Sequence, residues 1–165
     1  MARASSVALT AVSDLLRASS GLPARIAGIR SALGAGLAEV PDPAVLVLHA
    51  GVDLEDRATG NKYPQILIHC AKTRNLLTEK FRKFSGVVDI AVEIRVSHDH
   101  LSEVDKLTRI YTDAVTAVLE DSRGELGECV FFSGRYEIEF GPAKKGGRHF
   151  VQITKIQVPV EAALG

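Results

Sequence analysis

Small and basic residues cluster near the C-terminus, in the stretch "GPAKKGGRH" that runs from Gly141 to His149. Glycines beside basic side chains are typical of loops that bind phosphate groups. A P-loop, however, places Lys and then Ser or Thr directly after its second glycine, at the start of a helix. Here Arg148 follows the glycines, and the next residues alternate as in a β-strand. We therefore predict the tip of a β-hairpin in which glycines supply positive φ angles.

A second candidate for chemistry is the sequence "SHDH", which contains His98, Asp99 and His100. Together with His69 or His149, these side chains are of the types that bind metal ions. Their spacing matches none of the usual zinc patterns, and the sequence has no second pair of closely spaced ligands. We interpret them as a polar turn before a helix, with Asp99 close to the positive end of the helix dipole, and predict no metal site.

The residue types needed for covalent catalysis occur without a recognisable arrangement. The chain has no GxSxG motif, and Cys70 and Cys129 are far apart, which predicts two free, partly buried thiols in a reducing compartment. Glu137 and Glu139 are two positions apart, as on the solvated face of a strand. We predict no catalytic residue and no cofactor.

Composition limits the kinds of partner. The chain has 165 residues, and its 20 Lys and Arg equal its 20 Asp and Glu. A DNA-binding protein usually carries excess basic charge, so this balance argues against sequence-specific nucleic-acid binding and is compatible with self-association. No apolar run is as long as a signal sequence or a membrane span, so we expect a soluble cytoplasmic product with no membrane partner.

The N-terminal part has a helical pattern and the remainder begins with strands. Apolar residues recur at helical spacing over residues 5–17 and 22–37, which predicts an N-terminal helical region over residues 1–40. After "VPDPAV", alternating residues predict strands in "AVLVLHAG", "YPQILIHCA" and "VVDIAVEIRVS". The first two are separated by a polar connection with a turn at Gly60–Asn61.

The second half predicts one helix and two further strands. The stretch "HLSEVDKLTRIYTDAVTAVLED" has helical spacing, with Ser102 and Asp105 as a capping box or Asp99 as the cap. The strands are "CVFFSGRYEIEFG" and "RHFVQITKIQVPVEA". In the latter, the apolar face changes near Thr154–Lys155, which predicts a bulge or burial on both faces.

These elements predict a single α+β domain over residues 1–165, with an α+β core over residues 41–165. We expect a mainly antiparallel β-sheet, helices packed on one of its faces, and a protruding C-terminal β-hairpin.

The stretch from "QILIHCAK" through "VVDIAVEIRVSHDHLSEVDKLTRIYTDAVTAVLED" to "GRYEIEFGPAKKGGRHFVQITKIQVPVEA" resembles the tail terminator (tail completion) proteins of tailed phages and of related gene-transfer particles. The similarity lies in the order of elements over residues 40–160. It implies a structural protein without enzyme activity or cofactor, which forms a hexameric ring. Such a ring caps the tail tube, ends its polymerisation and meets the head connector, and DNA passes through its lumen. The implied location is the tail-neck region of the virion, after synthesis in the host cytoplasm.

Within this resemblance, two groups of charged residues are candidate assembly contacts. The cations of the hairpin tip would contact the tail tube or a neighbouring subunit. The charged strand face would pair with other subunits or line the lumen. The residues are Lys144, Lys145 and Arg148 at the tip, and Glu93, Arg95, Glu137 and Glu139 on the face.

Three alternatives stay open. The chain could be another head-tail connector or neck subunit. It could instead be a small α+β enzyme, which predicts a monomer or dimer with a closed polar pocket near residues 98–100. The third alternative is a module that contacts nucleic acid through the basic hairpin tip, with binding that weakens steeply as salt rises.

Overall fold

A computed structural model describes residues 3–33, 40–48 and 63–165. The helices are α1 (Arg3–Arg17), α2 (Leu22–Leu33) and α3 (Leu101–Glu120). The strands are β1 (Ala44–Val47), β2 (Gln65–Asn75), β3 (Phe84–His98), β4 (Gly124–Gly127), β5 (Val130–Phe132), β6 (Glu137–Phe140), β7 (Lys144–Gly146) and β8 (His149–Leu164). The predicted turn at Gly60–Asn61 and the predicted end of the second helix lie outside the described residues. None of the described helices is long and apolar enough to span a membrane.

The α+β class is confirmed, but the sheet is mixed where the sequence analysis expects a mainly antiparallel one. The strand order is β1-β2-β3-β8-β5-β4, and β6 and β7 also pair with β8. Strand β1 runs parallel to β2, whereas the other described pairs are antiparallel. Parallel neighbours require a long crossover connection, which residues 48–64 are numerous enough to supply.

The longest pairing in the sheet joins β3 to β8. It runs from Phe84 opposite Leu164 to His98 opposite Phe150, over fifteen residue pairs without a shift in register. At about 3.4 Å per residue, this β3–β8 ladder extends roughly 48 Å. The ladder is therefore the longest continuous pairing among the described strands, and different connections lie at its two ends.

Of the two alternatives predicted near Thr154–Lys155, the bulge is wrong, and the first half of β8 is at least partly buried on both faces. The alternation of β8 continues unbroken, and Gln152 and Thr154 are buried on the same side as Ile156. The apolar pattern changes because two polar side chains occupy inward positions there.

One buried cluster joins α1 and α3 to the even-numbered side chains of β3 and β8. The residues that the two strands contribute are Phe84, Val88, Ile90, Val92, Ile94, Val96, Ile156, Val158, Val160 and Ala162. Tyr111 of α3 is buried in this cluster, and its hydroxyl donates a hydrogen bond to the carbonyl oxygen of Pro41. Burial raises the pKa of the Tyr111 hydroxyl above its ordinary value. The helices and the central strands thus share one core.

Two local predictions in the second half are corrected. The cap of α3 is His100, which has extended backbone angles and no side-chain hydrogen bond to the helix, so neither Ser102 nor Asp99 caps it. The predicted strand "CVFFSGRYEIEFG" is divided into β5 and β6, because Gly134 between them has a φ of 94°. Both pieces pair with β8.

The close contact between β2 and β3 generates a prediction about stability. A Cβ atom at Gly86 would overlap the carbonyl oxygen of Arg74 on the neighbouring strand. We expect Gly86→Ala to lower the free energy of unfolding by about 1–3 kcal/mol, since the strand backbone has to move to admit the methyl group. Urea unfolding followed by circular dichroism measures this change. Gly127→Ala is the control, because a Cβ there meets nothing within 4 Å. Equal stability of the two variants would contradict the packing described.

Candidate assembly surface

The basic hairpin tip lies at one end of the β3–β8 ladder. Lys144 and Lys145 of β7 pair with Val151 and Phe150 of β8, and the turn consists of Gly147 and Arg148. Gly147 has a φ of 67°, so a glycine supplies a positive φ there, as the sequence predicts. Lys144, Lys145 and Arg148 are exposed, and within the described part of the chain none of them forms a salt bridge. Their charges are available to a partner.

The base of this hairpin is held by hydrogen bonds. The Gly141 amide donates to the carbonyl oxygen of Ile153 at 2.9 Å, and Gln152 Nε2 donates to the carbonyl oxygen of Gly141 at 3.0 Å. A Cβ at Gly141 would come within 2.6 Å of that same Ile153 oxygen, so a glycine is needed for this close approach. These contacts fasten the base of the hairpin to β8.

The charged strand face is partly paired within the subunit. Arg95 Nη2 lies 2.8 Å from Glu93 Oε2, and their side chains are only 4% and 13% exposed. Glu139 of β6 lies opposite Lys155 of β8, and Lys155 lies opposite Glu93 of β3. A row of side chains across these three strands is therefore negative, positive and negative in turn. Glu137 and Glu139 are exposed. The structure thus brings Glu93 and Arg95 together in an ion pair. The other two predicted face residues, Glu137 and Glu139 of β6, are accessible to a partner.

His69 is buried beside this ion pair. It lies opposite Ala91 on β3 and is 5% exposed, and its Nδ1 has no hydrogen-bond partner among the described residues. Burial lowers the pKa of His69, because the charged imidazolium loses its hydration. Glu93 opposes this shift, while Lys155 and Arg95 add to it. His69 is therefore a neutral histidine in the folded protein near neutral pH.

The turn at residues 98–100 is compact but open to solvent. His98 Nδ1 lies 2.8 Å from Asp99 Oδ1, and His100 Nε2 lies 3.9 Å from the same oxygen. A cavity of about 460 Å³ borders this turn, with His98, His100 and Glu103 among its lining residues. In the described ranges no three His, Cys, Asp or Glu side chains are placed to hold a metal ion. His69 and His149 lie in other strands, at positions opposite Ala91 and Gly146.

The sequence analysis misses the loop at the other end of the ladder. Residues Leu76–Lys83 join β2 to β3, and all of them are exposed. They include the large apolar residues Leu76, Leu77 and Phe81, and the exposed fraction of Phe81 is 98%. We name these residues the β2–β3 loop. The signal for it is the sequence "LLTEKF", which places three large apolar residues in a short connection between two strands.

The β2–β3 loop has a defined conformation despite this exposure. Asn75 Oδ1 accepts hydrogen bonds from the amides of Leu77 and Ser85, and Asn75 Nδ2 donates to the carbonyl oxygen of Lys83 at 3.0 Å. The Ser85 hydroxyl, which is buried, accepts from the Glu79 amide at 3.2 Å. The loop thus presents its apolar side chains in a fixed arrangement.

The two cysteines are both free, as expected, but their surroundings differ. Cys70 is half-buried within β2, whereas Cys129 is exposed at the turn between β4 and β5, with a φ of 65°. The expectation of two partly buried thiols therefore holds for Cys70 and is wrong for Cys129.

Among the comparisons with known proteins, only the comparison with solved structures finds a similar chain. No protein-family model and no curated protein matches the chain. A chain in the structure of the virion of a native gene transfer agent (GTA) particle is similar, with 16% sequence identity and a TM-score of 0.44. The similarity covers 97% of this chain and 96% of that one. A likeness of this degree does not by itself establish a family or a function.

The neutral state of His69 predicts a pH dependence of stability. Its pKa in the folded protein lies below the ordinary value of 6.5 that applies to the unfolded chain. As the pH falls below about 6.5, the unfolded chain binds a proton that the folded protein does not, so the free energy of unfolding decreases. We expect the loss of stability between pH 7.5 and pH 5.5 to be smaller in His69→Gln than in the wild type. Urea unfolding at the two pH values measures it.

His100→Gln is the matched control for this experiment, because the His100 side chain is 73% exposed. It should retain the pH dependence of the wild type. An unchanged pH dependence in His69→Gln would contradict the assignment to His69.

Proposed function

We propose that this chain is a non-enzymatic structural subunit of a phage-like particle, with the role of a tail terminator. Six copies would form a ring in the tail-neck region, cap the tail tube and meet the head connector. The resemblance in the order of elements motivates this proposal. The observation that carries it is the β3–β8 ladder, which has an exposed and internally braced tip at each end.

A ring subunit that joins two assemblies needs contact surfaces for its neighbours in the ring as well as for the assemblies. The hairpin tip adjoins the end of the ladder at His98 and Phe150, and the β2–β3 loop adjoins the end at Phe84 and Leu164. The two tips therefore lie at opposite ends of the ladder, whose length along the strands is roughly 48 Å. Because the pairing is continuous, their separation is fixed by backbone hydrogen bonds, which suits a connector between two rigid bodies.

The chemistry of the hairpin tip suits a protein partner with carboxylates on its surface. Lys144, Lys145 and Arg148 are exposed cations without a partner in the described part of the subunit. Opposite charges at the rim of an interface mainly speed association and select the correct partner. We assign the hairpin tip to contact with the tail tube or with a neighbouring subunit.

The charged strand face suits a position between subunits or around the lumen. Glu137 and Glu139 are exposed on β6, while Glu93 and Arg95 neutralise each other on β3, on the other side of β8. Exposed carboxylates along a channel repel phosphates, so DNA would pass without adhering. We assign Glu137 and Glu139 to this position, with Glu93 and Arg95 as support.

The first expected result concerns mass. We expect light scattering of the purified protein to give about six times the subunit mass of 17.7 kDa, and negative-stain images to show closed rings. A monomer or dimer at every concentration would contradict the proposal and favour the enzyme alternative, for which the cavity beside His98 and His100 would be tested next.

The second expected result concerns the hairpin tip. We expect Lys144→Glu/Lys145→Glu to fold with the stability of the wild type, because both side chains are exposed, and to lose ring or tube assembly. The control is Lys72→Glu/Lys106→Glu, which changes two exposed lysines that form no salt bridge with a described residue and makes the same change in net charge. Normal assembly of the hairpin variant would contradict the contact. Salt-sensitive DNA binding that the same variant abolishes would instead favour the nucleic-acid alternative.

A further inference from the structure

A groove lies beside the root of the β2–β3 loop. It has a volume of about 470 Å³ and is formed where the loop, the β4–β5 turn and the end of β8 meet. We name it the acidic groove. Its lining includes Glu79, Glu125, Glu161, Cys129, Val130 and Phe131. The described lining residues include three glutamates and no lysine, arginine or histidine.

The floor of the acidic groove is apolar. Val130 and Ala162 are buried beneath it, while Phe131 is 43% exposed and offers an aromatic side chain to an incoming group. A groove with an apolar floor and carboxylates at its edges fits an apolar side chain that is flanked by cations.

The tip of the β2–β3 loop has that complementary chemistry. Phe81 is almost completely exposed and is flanked in sequence by Lys80, Arg82 and Lys83. Arg82 pairs with Glu79 at 3.1 Å, whereas Lys80 and Lys83 form no salt bridge with a described residue. An exposed aromatic residue on an ordered loop loses little conformational entropy when it is buried by a partner.

We propose that Phe81 of one subunit inserts into the acidic groove of a second copy of this chain. The contact would pair Phe81 with Phe131 and place Lys80 and Lys83 near Glu125 and Glu161. This inference rests on the proposed function and deepens it, since a ring requires contacts between copies and this one names the residues. A second copy is the partner because the complementary surface is present on the chain itself.

A lipid surface fits this region less well. Apolar and basic residues on a loop are also the composition of segments that bind anionic membranes. Here Glu125 and Glu161, which form no salt bridge with a described residue, lie beside the loop, and anionic headgroups would repel them. A protein surface with separate acidic and basic patches satisfies both sets of charges.

Chemical cross-linking tests the contact directly, because Cys129 already lies in the groove. One chain would carry Phe81→Cys, Cys70→Ser and Cys129→Ser. A second chain, lengthened by a tag, would carry only Cys70→Ser and retain Cys129. We expect a short bismaleimide to cross-link the two chains when they are mixed. The control replaces Phe81→Cys by Leu101→Cys, because Leu101 is an exposed leucine outside the groove lining. The yield of cross-linked product from Phe81→Cys should be at least about ten times that of the control. Equal cross-linking from the two positions would overturn the proposal.

Phe81→Ser provides the second measurement. Since Phe81 buries almost nothing within the subunit, the variant should fold normally while its self-association, measured by sedimentation velocity, weakens at least about tenfold. Leu101→Ser should associate as the wild type does. Unchanged association of Phe81→Ser would overturn the proposal.

The outcomes separate this inference from the proposed function. If the wild type forms rings, but Phe81→Ser forms them equally well and Phe81→Cys gives no specific cross-link, the contact is wrong and the ring stands. If the cross-link forms in a protein that never exceeds a dimer, the contact stands and the ring is wrong. Binding to phosphatidylglycerol vesicles that Phe81→Ser abolishes, without a specific cross-link, would overturn the contact in favour of a membrane partner.

Discussion

Fifteen paired residues join β3 to β8, and the positions of the other elements follow from this pairing. Strand β2 is held by the far side of β3 and in turn holds β1, while β5, β6 and β7 are held by the far side of β8. Helices α1 and α3 both contact these two central strands. The ladder requires strands with no proline at a hydrogen-bonding interior position and no break in alternation. Pro159, opposite Asp89, is accommodated without a shift in register.

The two sides of the ladder have different compositions, and the difference explains where a partner can bind. Even-numbered side chains of β3 are apolar and enter the shared core. Odd-numbered side chains include Glu93 and Arg95, which neutralise each other, and Asp89, which pairs with Arg74 at 3.2 Å. Charges satisfied inside the subunit contribute little attraction to a neighbour. Attraction must come from groups that form no salt bridge with a described residue, and these include the cations of the hairpin tip and the two glutamates of β6.

The sequence predicts long regular elements well and short or polar ones poorly. The alternation from Val88 to Val96 identifies β3, and the helical spacing of α3 is equally clear. The division between β5 and β6 is missed because alternation on both sides conceals the conformation of Gly134. The inward Gln152 and Thr154 mimic a bulge, since a hydrophobic pattern does not distinguish a shift in register from a polar residue in the core. The parallel pairing of β1 depends on contacts distant in sequence.

In the candidate assembly surface, too, some features are predictable from the sequence and others are not. The hairpin tip is predictable because glycines and lysines between two strands indicate an exposed turn. The placement of Glu93 and Arg95 on one face is also predictable, because side chains two residues apart on a strand point to the same side. Their near-complete burial depends on contacts distant in sequence. The unbroken ladder also has a mechanical consequence. A pull between the hairpin tip and the β2–β3 loop acts along the strands, at right angles to the hydrogen bonds that join them. Such a load shears the bonds of the ladder together and does not open them one after another, so tension carried through the subunit meets its greatest resistance along this axis.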